Sequence, residues 1–141
     1  MCQMTRRYVV LAVALLVTAL TATLVVQHVS ARAQAAREVL YQASVRSHAA
    51  RFRVGLSRED VERQLRDGGV HFQQLSGGGL EERTYSDLIK IGKEPTPWFC
   101  SEHNVYVALQ FAALDQDQPF DSKPSDVLKR VTLFKWLEGC L

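Results

Sequence analysis

The chain has 141 residues, 47% hydrophobic and 23% charged, with a formal net charge of +2. That length suits about one domain of the usual ~100–200 residues. The charge is unevenly spread: residues 1–53 hold seven Arg and one Glu, residues 54–141 hold ten basic and fourteen acidic residues, and residues 8–26 hold none. This distribution excludes a wholly soluble globular chain, a polytopic membrane protein, a collagen-like repeat and a largely disordered chain. The acidic balance of the C-terminal part argues against nucleic-acid binding, which needs a basic surface.

A short tail (1–7) precedes an apolar segment (8–28) whose uncharged stretch, residues 8–26, has Thr18, Thr21 and Thr23 as its polar residues apart from Tyr8. As a helix those 19 residues rise about 28 Å, close to a ~30 Å hydrocarbon core. The segment reads as a membrane anchor, with cleavage after small residues around 31–35 as the alternative, giving a secreted form. Cys2 precedes the apolar run, so it is not placed as a lipoprotein acceptor. Arg6 and Arg7 favour a cytoplasmic N-terminus. The expectation is a single-pass protein of a bacterial-type inner membrane, its C-terminal domain periplasmic.

Residues 29–53 are rich in Ala and Arg, with no Gly or Pro, and these are strong helix formers. The segment reads as a basic helical linker. Its apolar stripe, Val39, Leu40, Ala43 and Ala50, is thin, so a solvated spacer is expected. Contact with anionic lipid head groups is the alternative.

The folded domain spans 54–141. Ser57 suits a helix N-cap, with Asp60 three residues on, Leu56 and Val61 at staple positions, and Gly68-Gly69 as the stop. Short strands are expected over 70–75, 80–85 and 88–91, with a flexible Ser76-Gly77-Gly78-Gly79 turn. Pro95 and Pro97 force extended backbone. The clearest strand is 105–111, with Val105, Val107, Leu109 and Phe111 on one face. After a polar loop over 115–126 comes the last strand, 127–137, with Val131 and Leu133 on one face and Phe134 and Trp136 on the other. The two strong strands should pair antiparallel. The fold class is α+β: an N-terminal transmembrane helix, then a short helix packed on a three- or four-stranded antiparallel sheet.

Gly55-Leu56-Ser57-Arg58-Glu59-Asp60-Val61, followed by Leu65, resembles the G-[ML]-[ST]-x-x-x-V-x-x-x-L opening of SmpA/OmlA (BamE-like) outer-membrane assembly proteins. Trp98 ahead of the 105–111 strand stands in the order that family shows. The resemblance spans about residues 54–137. It implies a short helix leading into antiparallel strands, as in the related β-lactamase-inhibitor-like fold, and a non-catalytic role of binding other envelope proteins. The family's L-G-x-P after the helix and its lipidated cysteine have no counterpart here.

The densest cluster of reactive side chains is Pro97-Trp98-Phe99-Cys100-Ser101-Glu102-His103-Asn104. Trp98, Phe99, Glu102 and His103 are the candidate partner contacts, since aromatic residues dominate interface energetics. Cys100 and Cys140 are expected to form a disulfide closing a loop of about 40 residues, which implies an oxidising compartment. The rival reading takes Cys100 and His103 as a thiolate–imidazole pair of a small enzyme, or as half of a zinc site that needs about two more ligands, for which Cys140 and His71 are the candidates. Asp115, Asp117 and Asp121 have calcium-loop spacing, but Phe120 stands where that loop needs Gly, so a solvated loop is expected. No catalytic residue, metal ligand set or cofactor is assigned. The expected function is that of a membrane-tethered, non-enzymatic interaction domain.

Overall fold

The computed structural model describes residues 2–75, 84–112 and 122–141, with backbone alone for residues 2–12 and Thr84. The glycine turn, residues 80–83 and the aspartate-rich loop at 115–121 lie outside the described residues. Contacts divide the chain into two units, one ending at Val39 and the other running Leu40–Leu141. Helix α1 (Cys2–Arg51) begins in the first and ends in the second.

In the first unit the described helix is long and apolar enough to cross a membrane. Its threonines suit that medium. The hydroxyls of Thr18, Thr21 and Thr23 donate to the carbonyls of Leu15, Thr18 and Leu20 at 2.8–2.9 Å. Each polar group is thereby satisfied within the helix, as lipid requires.

The second unit is α+β. Helix α2 (Arg58–Asp67) starts where Ser57 accepts the Asp60 amide. Leu56 and Val61 meet in the core as a staple. It stops in a Schellman arrangement: Gly69 takes φ +66°, Val70 N–H donates to Leu65 O, and Gly69 N–H to Arg66 O. Four strands follow as an antiparallel meander, β1 (Gln73–Leu75), β2 (Thr84–Lys93), β3 (Glu102–Ala112) and β4 (Val127–Glu138), in spatial order β1-β2-β3-β4. The expected strand over 70–75 shortens to β1. The described end of the stretch expected at 80–85 and the stretch expected at 88–91 are one strand, because β2 pairs with β3 along its length, with an irregularity between Lys90 and Gly92.

One sheet face carries Ile89, Val107, Leu109 and Phe111, buried under Val61 and Leu65 of α2. Each such fully buried aliphatic side chain contributes about 1.5–3 kcal/mol. Phe52 and Val45, at the end of α1, join this core. Tyr41 is buried as well, donating its hydroxyl to Lys93 O at 3.1 Å. These contacts correct the linker reading. The stripe Val39, Leu40, Ala43 and Ala50 is exposed, and the packed side is Tyr41, Val45 and Phe52. Gly92 makes room for it: a Cβ there would stand 2.8 Å from the Tyr41 ring.

The opposite face carries Leu88, Tyr106 and Ala108, all buried, with Leu75 and Phe134 against them. Phe134 and Trp136 lie on this face, opposite Val131 and Leu133, as the alternation predicts.

Candidate functional site

Three features of the second unit could carry chemistry. The first is the corner where the β2–β3 loop meets the end of β4. Pro95 and Pro97 keep this loop out of regular structure, and it is fastened to the chain end by several bonds. Ser101 N–H donates to Glu138 O at 3.0 Å and Leu141 N–H to Phe99 O at 2.9 Å. Cys100 and Cys140 form a disulfide. Gly139 turns the chain here at φ +59°, a conformation that disfavours other residues.

On this fastened loop Trp98 is 92% exposed and Phe99 41% exposed. Their rings meet edge to face at 5.9 Å, a favoured aromatic geometry. Leu137 and Leu141 nearby are also exposed. A large apolar group in water needs a reason, and a group of them at one corner marks an interaction surface.

The second feature is the polar cluster beside that corner. Glu102 accepts from Lys93 Nζ at 2.7 Å, from Asn104 Nδ2 at 2.8 Å and from Lys90 Nζ at 3.4 Å. The Lys93 bond, then Asn104 and the positive field of Lys90, hold its carboxyl down at about 2. Asn104 Nδ2 also donates to Glu138 Oε1, which accepts the Tyr106 hydroxyl at 2.9 Å. Burial, with that bond to a carboxylate, pushes Tyr106 up to about 12.

Adjacent strand residues point to opposite faces, so Glu102 and His103 do not form one constellation. Glu102 serves the lysine cluster. His103 Nδ1 donates to Pro95 O at 3.3 Å. Trp98 and Phe99 stand together. Cys100, bound to Cys140, offers neither a thiolate nor a metal-binding sulfur in this state. Among the described residues, no three His, Cys, Asp or Glu side chains are grouped as a metal would require.

The third feature is an ion pair that sequence reasoning did not find. Arg58, the first residue of α2, is buried and pairs with Asp87, which is fully buried on β2. Arg58 Nε also donates to Glu62 at 3.0 Å, and its guanidinium lies 5.3 Å from the Phe111 ring centre. Burial pushes Asp87 up to about 6, and the Arg58 charge opposes that shift. No local signal marked the pair, since Asp87 falls between the expected strand stretches 80–85 and 88–91. Its partner is 29 residues away.

Beside this pair a cleft of about 470 Å³ is lined by Arg58, Glu62, Arg66, Gln74 and Lys123, among others. Glu62 there is engaged by Arg58, by Arg66 at 3.1 Å and by Gln74 at 2.9 Å. These contacts describe a braced helix, with its acid already neutralised.

Comparison with known proteins yields no matching family model, no matching curated protein and no matching solved structure.

Proposed function

We propose that the chain is a membrane-tethered, non-enzymatic interaction domain that faces the periplasm and binds another envelope protein through its disulfide-fastened corner. The observation that carries this reading is Trp98, almost wholly exposed on a loop held by a covalent staple and main-chain bonds. A fixed, exposed aromatic loses little conformational freedom on docking, which favours affinity. Phe99 extends the apolar contact, and Glu102 and His103 supply polar groups on either side of β3.

Two observations support the compartment proposed. The apolar helix provides a tether, and a disulfide persists in an oxidising space. The likeness of residues 55–65 to the SmpA/OmlA opening supports a place in envelope assembly. The rival reading of a Cys100–His103 enzyme or zinc protein loses its nucleophile or ligand to the disulfide.

The test is site-specific photo-crosslinking from position 98 in native membranes. A discrete adduct is expected, formed from outside the inner membrane and lost when Phe99 is also changed to Ala. Absence of any adduct, or labelling of the two cysteines as free thiols in the isolated protein, would refute the reading.

A further inference from the structure

We propose that the Cys100–Cys140 disulfide is a redox latch: a dithiol reductant opens it by attack at Cys140, and opening frees the Trp98–Phe99 corner from its docking geometry. This rests on the interaction reading above and adds a means of regulating the same surface.

The latch stands apart from what folds the domain. Residues 95–101 and 139–141 are all exposed or half-buried, and none of them belongs to either buried cluster. The β3–β4 ladder stops just short of the corner, at the Glu102–Glu138 pair. Breaking the S–S bond therefore leaves the strands and both clusters in place, and its effect falls on the loop and on residues 139–141. Past Glu138, among the described residues, two links hold that segment: the disulfide, and the bond from Leu141 N–H to Phe99 O. Ser101 donates to Glu138 O through its amide at 3.0 Å and its hydroxyl at 2.9 Å. Phe99, Ser101 and Leu141 are exposed, so water competes for these bonds and little net stabilisation remains. The covalent bond is thus what fixes Phe99 and, through the edge-to-face contact, Trp98.

The two sulfurs differ in access. Cys140 is exposed and Cys100 is half-buried. Solvent-exposed disulfides are the labile, regulatory ones, whereas shielded structural ones resist reduction. A thiolate of the reductant bonds to Cys140 Sγ. The bond between the two cysteine sulfurs breaks, and its electron pair leaves on Cys100 as a thiolate, which takes a proton from water. The reductant's second thiol, giving up its proton to water, then attacks its own sulfur in the mixed disulfide. Cys140 leaves as a thiolate and is protonated in turn. The dithiol ends as a disulfide, and the chain gains two electrons, two protons and two thiols. A corner held in one shape gives up little freedom on docking, whereas a released one must be ordered again, which weakens binding. The oxidised state is the docking state.

The experiment uses the full chain in lipid nanodiscs, with Cys2 alkylated beforehand. Dithiothreitol is the dithiol, and glutathione is the monothiol that traps the mixed disulfide. The trapped adduct should map to Cys140, and dithiothreitol should open the bond without denaturant. Fluorescence anisotropy reads the corner in a chain carrying Trp136→Phe, which leaves Trp98 as its one tryptophan. Anisotropy should fall on reduction and return on reoxidation, with the domain still unfolding cooperatively in urea. If Trp136→Phe disturbs the fold, the difference between the unaltered chain and Trp98→Phe reads the same quantity. In native membranes, photo-crosslinking from position 98 should drop about tenfold on reduction and recover on reoxidation. An adduct on Cys100, a bond that opens only in denaturant, loss of the cooperative transition on reduction, or unchanged anisotropy would each overturn the proposal. Equal crosslinking in the two states would also overturn it and leave the interaction reading intact. Falling anisotropy with no crosslink in either state would refute the interaction reading and keep the latch.

Discussion

Two charged regions of the domain use the same residue types to opposite ends. Beneath α2, Arg58 and Asp87 are sealed between helix and sheet, and burial raises the carboxyl to about 6. Near the disulfide corner, Glu102 lies open to solvent among Lys93, Lys90 and Asn104, which lower its carboxyl to about 2. Burial decides the outcome. In the first region desolvation exceeds what the partner returns, so the pair is a constraint on folding. In the second, water and lysines stabilise the charge, so the cluster can change with little structural consequence. The α2 side holds the fold, and the corner displays a surface.

The largest expected effect breaks the buried side. Asp87→Ala removes the fully buried partner of Arg58 and leaves Glu62 to balance the guanidinium, and should cost about 3–5 kcal/mol, measured by urea denaturation of the detergent-solubilised chain. Replacing both partners with apolar residues, Arg58→Met with Asp87→Leu, should recover most of that loss. Removing the staple comes next. Cys100→Ser with Cys140→Ser should cost ~4 kcal/mol on the loop-entropy account for a separation of 40 residues. Gly92→Ala drives a methyl into the Tyr41 ring and should cost about 1–3 kcal/mol. Tyr41→Ala in the same background should relieve part of that clash.

Acid titration separates the two regions by sign. Asp87 binds its proton more tightly when folded, so its contribution to stability falls as pH rises from about 4 to about 6. Glu102 does the reverse: its contribution is present above its ordinary 4.5 and is lost as pH falls toward about 2. Asp87→Asn should remove the first slope and Glu102→Gln the second in pH-dependent denaturation curves. A slope unchanged by either substitution would contradict the assignment.

Local chemistry was legible in the sequence, and long-range pairing was not. The Ser57 cap, the Leu56–Val61 staple and the Gly68-Gly69 stop are short-range devices, and all three stand in the structure. The two faces of β4 and the antiparallel pairing of β3 with β4 follow from period-two alternation, and the two cysteines are paired. The contribution of α1 to the core was obscured because Tyr41, Val45 and Phe52 are diluted among Ala and Arg. Their spacing, with His48 between Val45 and Phe52, is that of a single helix face. The Arg58–Asp87 pair had no local signature, because a strand brings Asp87 under the helix from far along the chain. At the candidate site, the exposure of Trp98 depends on how the corner is fastened, and spacing alone does not encode that.

The most direct test of this division of labour compares Trp98→Ala and Phe99→Ala, together and singly, in two assays on the same membranes. With Trp98 so exposed, substitutions there should shift the unfolding free energy by less than about 0.5 kcal/mol while partner crosslinking through the corner disappears. A loss of several kcal/mol, or undiminished crosslinking, would contradict the account, since the corner would then be part of the core or no part of the interface.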